Sequence, residues 1–191
     1  MRRIAKIEGI SPRELLLNIK NGSVVILNNN LHNLKSPCAV GKGLTTKINA
    51  NIGTSTDKSS IKEELKKLAA SIKYGADAVM DLSVGGDLKK VRKEVLKHSS
   101  IPLGTVPVYQ IAVNASLKSK SPLKFDYLDM LEVLESQAKE GVDFFTIHSG
   151  VTLKSMDSLK KSKRVLDIVS RGGAIIASWM KLHGKENPFF E

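Results

Sequence analysis

The chain has 191 residues, 41% apolar, 26% charged and 5% aromatic, the make-up of a globular domain with one sizeable core and not of a disordered chain. No run approaches the ~18 apolar residues of a membrane span, and Met1-Arg2-Arg3 opens an amphipathic segment instead of a signal-peptide core. One cysteine, Cys38, excludes an internal disulfide or a local multi-cysteine metal site, and the formal charge of +11 raises the question of a polyanionic partner.

That charge is dispersed. Lys62, Lys66 and Lys67 interleave with Glu63 and Glu64, and Lys89, Lys90, Arg92, Lys93 and Lys97 lie along another segment. With few aromatics there is no stacking platform for bases. Neither nucleic acid nor membrane is the expected partner, and a cytoplasmic location is expected from the cysteine usage. A basic surface also attracts a phosphorylated small molecule.

Residues 1–22 read as a helical lead-in: Ser11-Pro12-Arg13-Glu14 is a capping box with proline at the first helical position, followed by Leu15, Leu16, Leu17 and Ile19. Gly22 ends it, residues 23–27 form a short strand, and the Asn- and Gly-rich residues 28–45 read as loop or irregular β. From Thr46 the pattern is rhythmic. Strands are expected at 46–52, 77–82, 103–109, 143–148 and 165–170, and helices at 60–73, 87–99, 125–140, 155–163 and 174–183. The organisation is therefore a lead-in over 1–45 and a β/α region over 46–191. Helix-length gaps between strands imply parallel strands with right-handed crossovers.

A weak repeat supports this. Lys73-Tyr74-Gly75-Ala76-Asp77-Ala78-Val79 and Lys139-Glu140-Gly141-Val142-Asp143-Phe144-Phe145 share one grammar: helix end, glycine, small or branched residue, aspartate, apolar strand. A doubly wound sheet also fits, but no strand runs into a G-x-G-x-x-G turn. The favoured class is α/β of the (β/α)8 TIM-barrel type, with only about the first five units present.

Each expected strand ends in polar residues, and in a barrel such ends converge on one mouth. Asn49 and Asn51 alternate with Ile48, Ala50 and Ile52, so both amides face one side. They can serve a ligand as donor and acceptor, or bond the backbone of a turn. Met80, Asp81 and Ser83 close the second strand; Met80 packs against a flat ring or fills core. Tyr109, with Gln110, offers a ligand wall or a buried structural bond. Only His148, of four histidines, stands at an expected strand end, and it reads as a hydrogen-bonding group because no second ligand sits at metal spacing. Ser170-Arg171-Gly172-Gly173 joins a hydroxyl, a guanidinium and backbone amides at a helix start, a candidate phosphate cradle.

Taken in order, KINANIGTS, YGADAVMDLSVGGDL, IPLGTVPVYQ, GVDFFTIHSGVT and IVSRGGAIIASWM resemble the phosphomethylpyrimidine synthase family over essentially the whole chain. The resemblance implies a β/α barrel and a non-standard radical S-adenosylmethionine enzyme with a 4Fe–4S cluster and zinc. It further implies a carbon–carbon lyase that converts aminoimidazole ribotide to hydroxymethylpyrimidine phosphate in thiamine biosynthesis. Family members are typically homodimers. Carried over motif by motif, the substrate-binding residues are Asn51, Met80, Tyr109, His148, Ser170, Arg171 and Gly172.

The departure from the family is the missing remainder. A further Asp/Arg substrate motif, a glutamate, two metal-binding histidines and a Cys-x2-Cys-x4-Cys motif are not in these 191 residues, and Cys38 cannot replace a cluster thiolate. The expectation is a fragment that is inactive alone and can pair with a complementary C-terminal half. The competing expectation is a non-catalytic module that binds a phosphorylated ligand or a partner protein.

Overall fold

A computed structural model describes residues 1–190. The chain is α/β and divides into two compact units, Met1–Thr105 with Ala138–Phe144, and Val106–Gln137 with Phe145–Glu191.

The first unit opens with α1 (Arg2–Glu8) and α2 (Pro12–Lys20). The Ser11 hydroxyl accepts from the Glu14 N–H at 3.1 Å, the cap that the sequence pattern requires. β1 (Val24–Leu27) and β2 (Cys38–Gly41) form an antiparallel hairpin with Val25 opposite Val40. Ile4, Ala5, Leu15, Val24 and Ala39 make a small core of their own.

β3 (Asn49–Ile52), α3 (Ile61–Lys73), β4 (Ala78–Asp81), α4 (Leu88–His98) and β5 (Leu103–Thr105) follow. β3, β4, β5 and β6 (Phe144–Phe145) lie in that order in one four-stranded sheet, and the β3–β4 and β4–β5 pairs are parallel. The first unit ends at Phe144, inside β6. Successive order without a reversal is consistent with the opening units of a β/α barrel and lacks the switch point of a doubly wound sheet. One face of the sheet is covered by a core of Ile52, Leu68, Val79, Val91, Val95 and Leu103.

The second unit carries α5 (Pro107–Ser119), α6 (Tyr127–Glu140, whose last residues belong to the first unit), α7 (Leu153–Lys160) and α8 (Arg171–His183). Phe125 stacks on Trp179 with centroids 5.7 Å apart, and the Trp179 indole N–H donates to the Phe125 carbonyl at 2.8 Å.

Three expected strands differ, and one is the run 143–148, which is strand only over Phe144–Phe145, so His148 stands beyond the strand end and not on it. The run 103–109 is strand only to Thr105, because Pro107 has a fixed φ and no N–H and starts α5 at its first position. Tyr109 therefore stands in the first helical turn and not at a strand end. Residues 165–170 form no strand, and Val165 is fully exposed. Apolar character alone does not make a strand; a ladder partner is also needed, and among the described residues none pairs there.

Candidate functional site

In the first unit the parallel register sets Asn51 beside Met80 and Met80 beside Gly104. Paired residues on neighbouring parallel strands point to the same face, and alternation sends Ile52 and Val79 to the buried helix side. Asn49 and Asn51 are exposed and Met80 half-buried, so these side chains occupy the open face. The alternation legible in the sequence thus separates exposed amides from core.

The loops behind this row are tied together. Ser83 Oγ donates to Asp81 Oδ1 at 2.5 Å and accepts from the Thr54 N–H at 3.0 Å, while Thr54 Oγ1 donates to the Gly85 carbonyl at 2.6 Å. The Gly53 N–H donates to Glu64 Oε2 at 2.7 Å, and Glu64 Oε1 accepts from Lys67 at 2.7 Å. Burial pushes the Asp81 carboxyl up, and the two Ser83 hydrogen bonds and the Arg92 charge only partly offset this. Thr54, Ser83 and Glu64 are all buried. Of these three only Ser83 carried a signal in the sequence, as part of a strand-end cluster.

In the second unit Ser170 caps α8: its Oγ accepts from the Gly173 N–H at 3.2 Å. The same hydroxyl lies 3.0 Å from His148 Nε2. A Cβ on Gly172 would stand 2.1 Å from His148 Cε1, so only glycine admits the imidazole at this helix start. His148 Nδ1 is buried without a hydrogen-bond partner among the described residues, and burial pulls the His148 pKa down, favouring the neutral ring. The Arg171 guanidinium lies 5.4 Å from the Tyr109 ring centroid, a cation–π contact between the first turns of α8 and α5.

His148, Ser170, Gly172, Arg171 and Tyr109 are thus gathered within one unit, and Asn51 and Met80 within the other. Tyr109 reaches its place from a helix, by a different route from the one expected. Asn187 escaped sequence reading. It is buried, and its side-chain N–H groups donate to the carbonyls of His148 at 2.8 Å and Val151 at 2.9 Å, fixing the segment that carries the histidine. Its one signal is the Asn-Pro pair after a helix. A groove of about 660 Å³ whose lining mixes Leu153, Met156, Ile168 and Met180 with Asp157 and Asp167 includes none of the candidate residues.

Among the described residues no group of three His, Cys, Asp or Glu could hold a metal ion. Cys38 is buried, and its thiol is pushed up to about 11, chiefly by burial, so it is a protonated packing residue. The side chains present therefore fit neither an iron–sulfur cluster, which is held by several thiolates, nor zinc. Among the described residues no helix is long and apolar enough to cross a membrane.

Residues 1–191 match the Radical SAM ThiC family. The phosphomethylpyrimidine synthase of Thermodesulfovibrio yellowstonii is 55% identical over the whole chain, which covers 45% of that protein. Those of Desulfotalea psychrophila and Pyrococcus furiosus are 46% and 44% identical, over 98% and 100% of the chain and 43% and 44% of their own lengths. The chain spans less than half the length of these curated relatives. A radical S-adenosylmethionine family implies a 4Fe–4S cluster and that cofactor, for which these residues supply no ligand set. With a family model matched from end to end and 55% identity to a named member, the chain belongs to the Radical SAM ThiC family.

Proposed function

We propose that this chain supplies the ribotide-binding part of a phosphomethylpyrimidine synthase, the enzyme that converts aminoimidazole ribotide to hydroxymethylpyrimidine phosphate in thiamine biosynthesis. The observation that carries the reading is the start of α8. There a capping serine whose hydroxyl holds the Gly173 N–H, the exposed Arg171 and the first turn of α8 meet the buried, unpartnered Nδ1 of His148. A helix N-terminus with an adjacent arginine attracts a phosphate dianion. Neutral His148 adds a ring nitrogen that can accept or donate without adding charge. In the other unit Asn51 and Met80 present an amide and a thioether, groups suited to a flat heteroaromatic ring. The cluster and S-adenosylmethionine supply the radical chemistry of the family, and the described residues hold no ligand set for the cluster. Zinc, a homodimer, a cytoplasmic location and a complementary C-terminal half belong to the same proposal.

Calorimetry with aminoimidazole ribotide tests it. Binding by residues 1–191 is expected, weakened about tenfold or more by Arg171→Ala, the loss of one charge-assisted contact. Unchanged affinity in that variant would remove Arg171 from the cradle. After iron and sulfide reconstitution the chain alone is expected to give no turnover, and co-expression with a relative's C-terminal half to restore it. Turnover by the chain alone would overturn the fragment reading.

The second reading is a non-catalytic module that binds a phosphorylated ligand. The α8 start, with its capping serine and Arg171, suits a phosphate group without any further chemistry. Phosphate binding without any rescue by a C-terminal half would select it.

A further inference from the structure

Gly104 has no side chain, and the place its Cβ would take is filled. A Cβ built there would lie 2.3 Å from both Cε2 and Cζ of Phe144 and 2.8 Å from its Cδ2. Gly104 pairs with Met80, which pairs with Asn51, so all three point to the open face of the sheet. The Phe144 ring therefore lies over β5 on the face that carries Met80 and Asn51, in the position next to Met80. It is half-buried, as Met80 is, while Asn51 is exposed. Across this face the row reads amide, thioether, aromatic ring.

The opposite face of the same strands explains why the arrangement needs support. There Val79, Leu103 and Ile52 sink into a closed core. Phe144 is held on the open side by its neighbour in sequence: Asp143 Oδ2 accepts from the Leu103 N–H at 2.8 Å, and the Asp143 N–H donates to the Leu103 carbonyl at 2.9 Å. That clasp fixes the start of β6 against β5 one residue before Gly104. Any side chain at 104 would push the ring off the sheet.

A half-buried aromatic ring beside a polarizable sulfur can receive a flat π-system, and an adjacent amide can bond the edge of that system. We propose that Phe144 is the stacking partner for a planar heteroaromatic ring lying over the Asn51–Met80–Gly104 row, and that Gly104 is the residue that admits it. The proposal deepens the ribotide reading, on which it rests, by assigning the ring of the ligand to a side chain outside the seven candidate residues. Specificity for a ring at all then comes from Phe144. Specificity for the ribose phosphate lies with other groups.

The test uses the 191-residue chain with three probes: aminoimidazole ribotide, adenosine monophosphate, and ribose 5-phosphate, which has no ring. Phe144→Leu keeps apolar bulk and removes the π-face. Binding of a ring-bearing probe is expected to weaken about tenfold, with ribose 5-phosphate unchanged and Phe144→Tyr close to wild type. Gly104→Ala is expected to give the same selective loss. Intermolecular NMR contacts between the probe's ring protons and the Phe144 ring read the same arrangement in the unsubstituted chain, so it stays testable where a variant does not fold. Ring-probe binding without those contacts, or unaltered in a folded Phe144→Leu, overturns the inference. If the ribotide then still depends on Arg171, the ribotide reading survives on its own. If adenosine monophosphate binds in a Phe144-dependent way and the ribotide does not, the stacking role stands and the ribotide reading falls. If no ring-bearing probe binds, both fall.

Discussion

At the scale of single residues, Ser170 has the most to do. One hydroxyl caps α8 through the Gly173 N–H and meets His148 Nε2. Ser170→Ala removes both contacts, and loss of the cap costs about 1 kcal/mol. Urea denaturation is expected to show that loss at unchanged slope, together with weaker phosphate binding, because the helix start frays where the anion would sit. Gly172→Ala acts differently. Its new methyl would strike the imidazole, so it should displace His148 and alter the histidine's NMR titration while leaving the cap intact. These are close-range effects, and glycine at 172 is explained by what packs on it, not by an unusual backbone angle.

At the scale of elements, the internal repeat gains a physical meaning. Asp77 Oδ2 accepts from the Ile48 N–H at 2.7 Å, and Asp143 Oδ2 accepts from the Leu103 N–H at 2.8 Å. In both copies an aspartate just ahead of a strand takes up the N–H where the neighbouring strand enters the sheet. Asp143 does more: it also accepts from the Asn29 N–H at 2.7 Å and lies 2.6 Å from His32 Nδ1, holding the segment before β2 against the sheet. Its side chain is 0% exposed. Asp143→Asn therefore leaves buried groups without a full set of partners and is expected to cost about 3 kcal/mol in chemical denaturation. The loop clasp is the second element-scale device. A Cβ at Gly85 would lie 2.0 Å from the Ser55 carbonyl oxygen, so Gly85→Ala forces the loops after β3 and β4 apart. A loss of about 2 kcal/mol is expected, with Asn51 and Met80 amide shifts moving together.

At the scale of the whole molecule, two histidines set opposite pH dependences. For His32, burial pulls the pKa down, but the hydrogen bond and charge of Asp143, with the carbonyls of Ser99 and Leu96, outweigh it and the value is raised. Its contribution is fully present below the unfolded value of about 6.5 and fades as pH rises through the higher folded value. For His148 burial lowers the value, so its contribution is present above about 6.5 and is lost as pH falls through the lower folded value. Stability measured against pH should therefore lose its acid arm in His148→Gln and its alkaline arm in a His32 variant. NMR titration of the wild type should place the two histidines on either side of the ordinary range. Coincident titration of the two rings would contradict both assignments.

Much of this was legible in the sequence because it depends on short-range periodicity. The Ser11 and Ser60 caps, the strand–helix alternation and the one-sided placement of Asn49 and Asn51 follow from spacing alone. The family motifs likewise marked Asn51, Met80, Tyr109, His148 and the α8 start. What the sequence could not tell is where an apolar run finds a partner. The run before Ser170 has strand composition yet no ladder, and Tyr109 follows strand-like residues yet belongs to a helix that Pro107 begins. The Phe144 ring over Gly104 and the Asn187 bonds behind His148 join residues about forty positions apart, so no local window contains them. The sequence by itself determined the helix caps, the strand–helix alternation and the chemical types available, since propensity, capping and alternation act within a few residues. Only the tertiary structure decided which of those groups meet, because contacts between distant residues are set by strand register and packing.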